Sequence, residues 1–200
     1  METMEERGRE WLIQCAPDSA EARAQWQADP STALVMATGH YFDAMVVSEQ
    51  LGLEACDLIR RHQLTVGPVL IDTHAHKVGF IAPPRSWTAF ANTVDAAETL
   101  LSGLRYLSNG DFMVVPGPAP LPNSRHQWLY SPTDRPDPSK VRTATLAVLL
   151  CTASQTLARM QSRDVYSRIP TAPFSIPFAH TPARVTEPHA TTADNPEVSD

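Results

Sequence analysis

Lysine is almost absent from this chain, with only Lys77 and Lys140 among 200 residues. A dedicated nucleic-acid binder carries a basic stripe, because phosphate contacts dominate its affinity. Here the formal net charge is −6, and residues 1–163 hold 14 basic against 17 acidic side chains. That balance weighs against binding driven by charge alone. Glycine is also scarce, eight in all, and neither a Gly-rich phosphate loop nor a nucleophile elbow occurs. The three cysteines, Cys15, Cys56 and Cys151, are far apart, odd in number and form no CxxC pair. This excludes a paired-thiol motif and fits small buried thiols in a reducing cytoplasm. Long hydrophobic runs are missing. The most apolar stretch, Ala144–Cys151 beside threonines, is far too short to span a bilayer. The first residues, METMEERGREW, are charged and lack the apolar region of a signal peptide. A soluble cytoplasmic protein without a membrane partner is expected.

What is present suffices for one domain. An apolar share of 42% over 200 residues buries a sizeable core. Trp11, Leu12 and Cys15 recur at helical spacing, which predicts a helix over Glu5–Cys15. Pro17-Asp18-Ser19 ends it and caps a second helix, Ala20–Gln27, which Asp29-Pro30 closes. Ala33–Ala37 and Phe42–Val47 read as strands around the turn Thr38-Gly39-His40. Ser48-Glu49 starts a helix to about His62, with Leu51, Ala55, Leu58 and Ile59 on one face. Gly67–Ile71 and Val78–Ile81 read as strands, and a helix follows from Ser86 to Arg105 with Phe90, Val94, Ala97 and Leu101 in register. Phe112–Val115 and Gln127–Tyr130 are the last strands, and Val141–Arg163 is a long helix rich in alanine and leucine. Hairpins mixed with helical crossovers indicate an α+β fold with a mixed sheet and flanking helices. The expected partition is an α+β domain over residues 1–132, a Pro-rich linker over 133–139, a C-terminal helix over 140–163 and a Pro/Thr-rich disordered tail over 164–200, which holds six prolines.

The segment Gly110–Trp128, GDFMVVPGPAPLPNSRHQW, carries the clearest pointer to function. A short apolar strand runs into Pro116-Gly117-Pro118, then a proline-spaced loop, then Gln127-Trp128. This resembles the closing element of the N-terminal domain of bifunctional DNA primase/polymerases, in the short actinobacterial-type form. There a strand, a Pro-Pro-Ser-like turn and a Tyr-x-Trp strand close the active-site sheet. The resemblance covers roughly Trp11 to Pro132. It implies a primase/polymerase-like fold with an Asp-x-Asp pair on the strand FDAMVV. Asp43 then stands at the first acidic position, the catalytic candidate, and Met45 replaces the second. Thr73–Phe80, THAHKVGF, is similar to the family's histidine-bearing turn and aromatic strand, with Lys77 at the histidine position and His76 one residue off. The third carboxylate falls near Arg105-Tyr106, which is not acidic, and Asp111 lies too close to the next strand. Lys77, Arg125 and His126 are the nucleic-acid-binding candidates, which the resemblance places near the substrate cleft.

Nucleotidyl transfer of this kind needs two or three carboxylates around Mg²⁺ or Mn²⁺, which bridge the triphosphate and activate the attacking hydroxyl. Asp43 alone is a weak holder, and a thioether is no substitute for a hard oxygen ligand. The plain alternative for Asp43 is a strand residue bonded to neighbouring backbone or to a basic side chain. A second pattern, Ile71–His76, IDTHAH, resembles the metal-binding opening of amidohydrolase barrels, and its two histidines at i and i+2 suit Zn²⁺. The remaining chain is too short for such a barrel, so a polar hairpin turn exposing both histidines is the stronger expectation. Arg60-Arg61 read as cations at a helix C-terminus. Together these features predict a primase/polymerase-like domain that has lost most of its acids and acts with DNA, nucleotides or another replication protein. The alternatives are an active enzyme using Mg²⁺ or Mn²⁺, and a protein-interaction module without a nucleic-acid role.

Overall fold

Short polar residues set the helix starts. A computed structural model describes residues 4, 6–65, 67–99, 101–133 and 140–167. After α1 (Glu6–Cys15), Asp18 accepts from the amides of Ala20 and Glu21, both at 2.9 Å, and starts α2 (Ser19–Ala28). Ser48 plays the same part for α3 (Glu49–Arg61), accepting from the Leu51 amide at 3.4 Å. Leu51, Ala55 and Ile59 recur every four residues and make the buried stripe of α3. Arg60 and Arg61 close its last turn, and both pair with Asp57.

Among the described residues seven strands follow the apolar segments: β1 (Leu34–Ala37), β2 (Asp43–Ser48), β3 (Val69–Asp72), β4 (Lys77–Ala82), β5 (Arg105–Leu107), β6 (Phe112–Val115) and β7 (His126–Tyr130). Five of them form one sheet in the order β5-β2-β4-β3-β7, and β1 pairs β6 in a separate ribbon. One face of the five-stranded sheet, with Met45, Val47, Val69, Ile71, Val78 and Phe80, packs against α3, α4 (Trp87–Ala96) and α5 (Lys140–Ser167). The other face, with Ala44, Leu70 and Ile81, packs against α1, Trp26 of α2 and the β1–β6 ribbon. The ribbon comes so close that a Cβ on Gly79 would lie 2.3 Å from the Met113 methyl. Burying Leu146, Ala147, Leu150 and Ala153 puts α5 into the same core as the sheet, so this helix is the third member of its layer.

The α+β class holds, but the sheet differs from expectation. Every described pairing is antiparallel. The crossover through α3 does return the chain in the direction of β2, yet β4 inserts between β2 and β3 and keeps them from pairing. The expected helix over Ser86–Arg105 ends at Ala96, and Arg105–Leu107 is an edge strand. Left-handed backbone at Glu98 (φ 48°) and Gly103 (φ 73°) breaks the helix there. Phe112–Val115, expected to close the main sheet, belongs to the ribbon instead; only β7 closes that sheet, along β3. The last helix runs four residues past Arg163. The linker expected over 133–139 and the tail expected over 164–200 lie almost wholly outside the described residues.

Candidate functional site

Register alone decides where the two key carboxylates stand. Asp43 pairs with Ala82 and Asp72 pairs with Lys77, at opposite ends of β4. Five residues separate those levels, about 17 Å along the strand. Five is odd, so the two levels also lie on opposite faces. Asp43 shares the helix-covered face with Met45 and Val47, whereas Asp72 shares the other face with Lys77 and with His126, its partner on β7.

Asp43 is only 1% exposed. Its Oδ2 accepts the Ser86 amide at 3.2 Å and the Tyr106 hydroxyl in a short hydrogen bond. Ser86 precedes the first turn of α4, so the carboxylate sits at the positive end of a helix. Thr143, in the first turns of α5, donates to the Ser86 hydroxyl at 3.2 Å and extends the buried network to a second helix. Burial, and then the hydrogen bond to Asp43, raise the Tyr106 pKa well above the usual phenol range. Oδ1 of Asp43 is buried and has no hydrogen-bond partner.

Asp43 and Met45 share a face of β2, and Tyr106 on β5 lies directly opposite Met45. Only one of them carries a carboxylate, and a thioether and a phenol offer little to Mg²⁺ or Mn²⁺, which seek several hard oxygens. The donor set does not fit the metal. Among the described residues no three His, Cys, Asp or Glu side chains group as a metal site.

A cavity of about 640 Å³ opens beside Asp43. Its walls are the Gly39-His40 turn, Arg85, Trp87, Tyr106 and the Ser108-Asn109 turn. Gly39 is needed there: its φ is 95°, and a Cβ would lie 2.2 Å from the Asn109 nitrogen. Thr38 locks the two turns together by donating to the Ser108 carbonyl at 2.6 Å. Trp87 is 47% exposed and lies tilted against Tyr106 with ring centres 4.9 Å apart.

The other face gathers Lys77, Arg125 and His126 around Asp72. Arg125 grips the carboxylate with two nitrogens, at 2.8 to 3.1 Å, and His126 Nε2 stands 3.3 Å away. The amides of His74 and Ala75 also donate to Asp72. The Arg125 guanidinium holds the Asp72 carboxyl far below the usual carboxylate range. Burial lowers the His126 pKa, and Asp72 only partly offsets this. Asp72, Lys77 and His126 rim a smaller groove of about 190 Å³ with an apolar lining that includes Leu70, Leu107 and Phe112. Phe112 is 62% exposed.

The three basic candidates therefore come together, but not beside Asp43. Lys77, which the resemblance sets at the family histidine near the cleft, takes the face opposite to Asp43. His74 and His76 lie in an exposed turn, where strand alternation does not align them. His76 adopts φ 52° and places Nδ1 2.6 Å from Glu49 Oε2. The sequence reading missed the roles of Ser86, Trp87 and Tyr106 in one site. Only the β2–β5 register, which sets Tyr106 opposite Met45 and so beside Asp43, would have found them. No helix among the described residues is long and apolar enough to cross a membrane. No protein-family model, curated protein or solved structure matches the chain.

Proposed function

We propose that this chain is a primase/polymerase-like domain that has exchanged nucleotidyl transfer for weak binding of single-stranded nucleic acid, in the service of a replication or mobile-element system. The observation that carries the reading is the shared face of Asp43, Met45 and Tyr106. It supports an inherited catalytic layout from which two of three metal-binding side chains are gone. The Tyr106 hydroxyl and the Ser86 amide now satisfy Oδ2 of the remaining side chain, which suits a structural role better than that of a metal ligand.

Binding falls to the other face. Arg125 and Lys77 supply cations for phosphates, and exposed Phe112 beside the groove supplies a stacking platform for a base. Asp72 already neutralises one guanidinium, so affinity is low. Fluorescence anisotropy with a labelled single-stranded oligonucleotide tests this. Two phosphate contacts give a log–log salt slope of about −1.4. Arg125→Ala or Lys77→Ala halves that slope. Absence of binding at low salt, or binding indifferent to salt, overturns the nucleic-acid role. Primer extension with Mn²⁺ that is lost in Asp43→Ala overturns the loss of catalysis and restores the active-enzyme reading.

A protein-interaction role without nucleic acid is the second reading. It is favoured by the net charge of −6 and by the exposed apolar residues Val35 and Phe112 on the ribbon.

A further inference from the structure

The outer edge of β1 is unguarded. Natural sheets protect their edges with lysine, proline, bulges or inward-pointing charges, because a bare edge invites another strand. β1 reads Leu-Val-Met-Ala, its register with β6 is unbroken, and Val35 is 58% exposed. Among the described residues β1 pairs with β6 alone. The Thr38 amide donates to the Asp111 carbonyl at 3.0 Å, and this bond fixes the alternation along the strand. Leu34, Met36 and Thr38 turn their main-chain groups toward β6, and Val35 and Ala37 turn theirs to the open side.

That open side is one wall of a groove of about 360 Å³. Leu34 and Val35 stand on the strand side, and Ala16, Asp18, Glu21 and Ala22 stand on the helix side, at the start of α2. An extended peptide that adds to such an edge gains affinity from main-chain hydrogen bonds and specificity from places for its alternate side chains. The small side chains of Ala16 and Ala22 leave room for long aliphatic stems.

Charge selects the occupant. Asp18 accepts from the first amides of α2, and Glu21 accepts from the Gln25 side chain at 3.0 Å. Neither has a countercharge among the described residues, and nearby Arg23 pairs with Glu10 instead. A second copy of the chain would bring the same two acids and a net charge of −6 to the contact. Nucleic acid and anionic lipid are repelled for the same reason. A strand that carries lysine or arginine on one face supplies what is missing.

We propose that the β1 edge takes up an extended segment of a partner protein in which basic and apolar residues alternate. Its main chain pairs with Val35 and Ala37, its apolar residues lie beside Val35, and its cations reach Asp18 and Glu21. The site involves neither the Asp43 cavity nor the Lys77 groove, so it stands whether or not the chain binds nucleic acid.

The probe is a fluorescein-labelled hexapeptide, Lys-Val-Lys-Val-Lys-Val, followed by anisotropy at low salt. It saturates the protein below ~1 mM. The Glu-Val counterpart binds at least about tenfold more weakly, and so does a Lys-Val peptide N-methylated at alternate amides, which keeps the charge but cannot pair as a strand. In two-dimensional NMR the amides of Val35 and Ala37 shift most. Val35→Pro removes an outward N–H, leaves the ladder to β6 whole and weakens the peptide several-fold. Glu21→Lys weakens the Lys-Val peptide and strengthens the Glu-Val one. Should Val35→Pro fail to fold, as judged by circular dichroism, the N-methylated peptide on the unaltered protein still decides. No saturation, equal binding of the N-methylated form, or shifts that leave β1 untouched overturns the assignment. Dimerisation of the protein alone that Val35→Pro abolishes also overturns it, in favour of a second copy.

Discussion

The two ends of the five-stranded sheet hold one aspartate each, and the two are kept charged or satisfied by different means. At the β2 end, Asp43 is sealed under α4 and α5 with a backbone amide and a phenol as its partners. At the β3 end, Asp72 meets a guanidinium, an imidazole and two turn amides close to solvent. Neutral donors suffice in the first place because they are fixed by the fold, with a helix N-terminus behind them. A full countercharge serves in the second, where water competes for each contact. Asp43 therefore contributes to folding, whereas Asp72 shapes a surface. Mutations that exchange these roles are the means to break the comparison.

The largest effect is expected at the buried end. Asp43→Ala strands the Ser86 amide and the Tyr106 hydroxyl and should lower unfolding free energy by about 3 kcal/mol in urea titrations. Asp72→Ala should cost clearly less, because its partners return to water. Equal losses would erase the distinction between the ends. Next comes Tyr106→Phe, which removes one charge-assisted hydrogen bond and should cost about 2 kcal/mol. Its pKa is raised, so its stabilisation is complete below the ordinary phenol value of about 10 and is lost as pH climbs through the folded value. In Tyr106→Phe, the latest phase of the tyrosinate absorbance rise disappears. A variant that keeps that phase would place the perturbed phenol elsewhere.

Much of this contrast was legible in local sequence. The caps Asp18 and Ser48 and the stripe of α3 follow from residue type and spacing. Strand β2 was read within one residue, and Asp43 was singled out on it. What stayed hidden is long-range. Three residues of β5 carry too few alternations to signal a strand, and Leu101, which extends the helical period, is buried in the same core cluster as the helix residue Phe90. Periodicity reports burial, and here a loop shares the burial of the helix before it. The insertion of β4 between β2 and β3 is likewise a matter of topology, and the register of each strand against β4 puts Asp43 and Asp72 on different faces. Lys77, Arg125 and His126, singled out as candidates near the cleft, lie together away from Asp43, because their side of the sheet depends on a register that no single segment contains.

Acid should separate the ends further. Asp72 has a depressed pKa, so its contribution is full above the ordinary carboxyl value of about 4 and is lost as pH falls through the folded value. Unfolding midpoints measured below pH ~4 should drop with acid in the unaltered protein and drop less in Asp72→Asn. The slope should be insensitive to Tyr106→Phe, since that phenol stays protonated throughout.

The smallest effect belongs to His126. Its ring is 14% exposed and burial lowers its pKa, although Asp72 lies 3.3 Å away. Two forces compete here, and desolvation, helped by repulsion from the Arg125 charge, exceeds the attraction of Asp72. A depressed value means that the unfolded chain binds the proton first. Stability should therefore begin to fall below the ordinary imidazole value of about 6.5, well before Asp72 titrates. His126→Gln keeps a hydrogen bond to Asp72 and should flatten that first decline while leaving the lower one in place. Arg125→Ala should act the other way. With its competitor gone, the imidazolium gains Asp72 for itself, its pKa rises, and the upper decline should shrink or reverse. Two-dimensional NMR of the imidazole resonances reads both shifts directly. An unchanged His126 titration in Arg125→Ala would mean that burial alone sets it, and that the cluster is not electrostatically coupled.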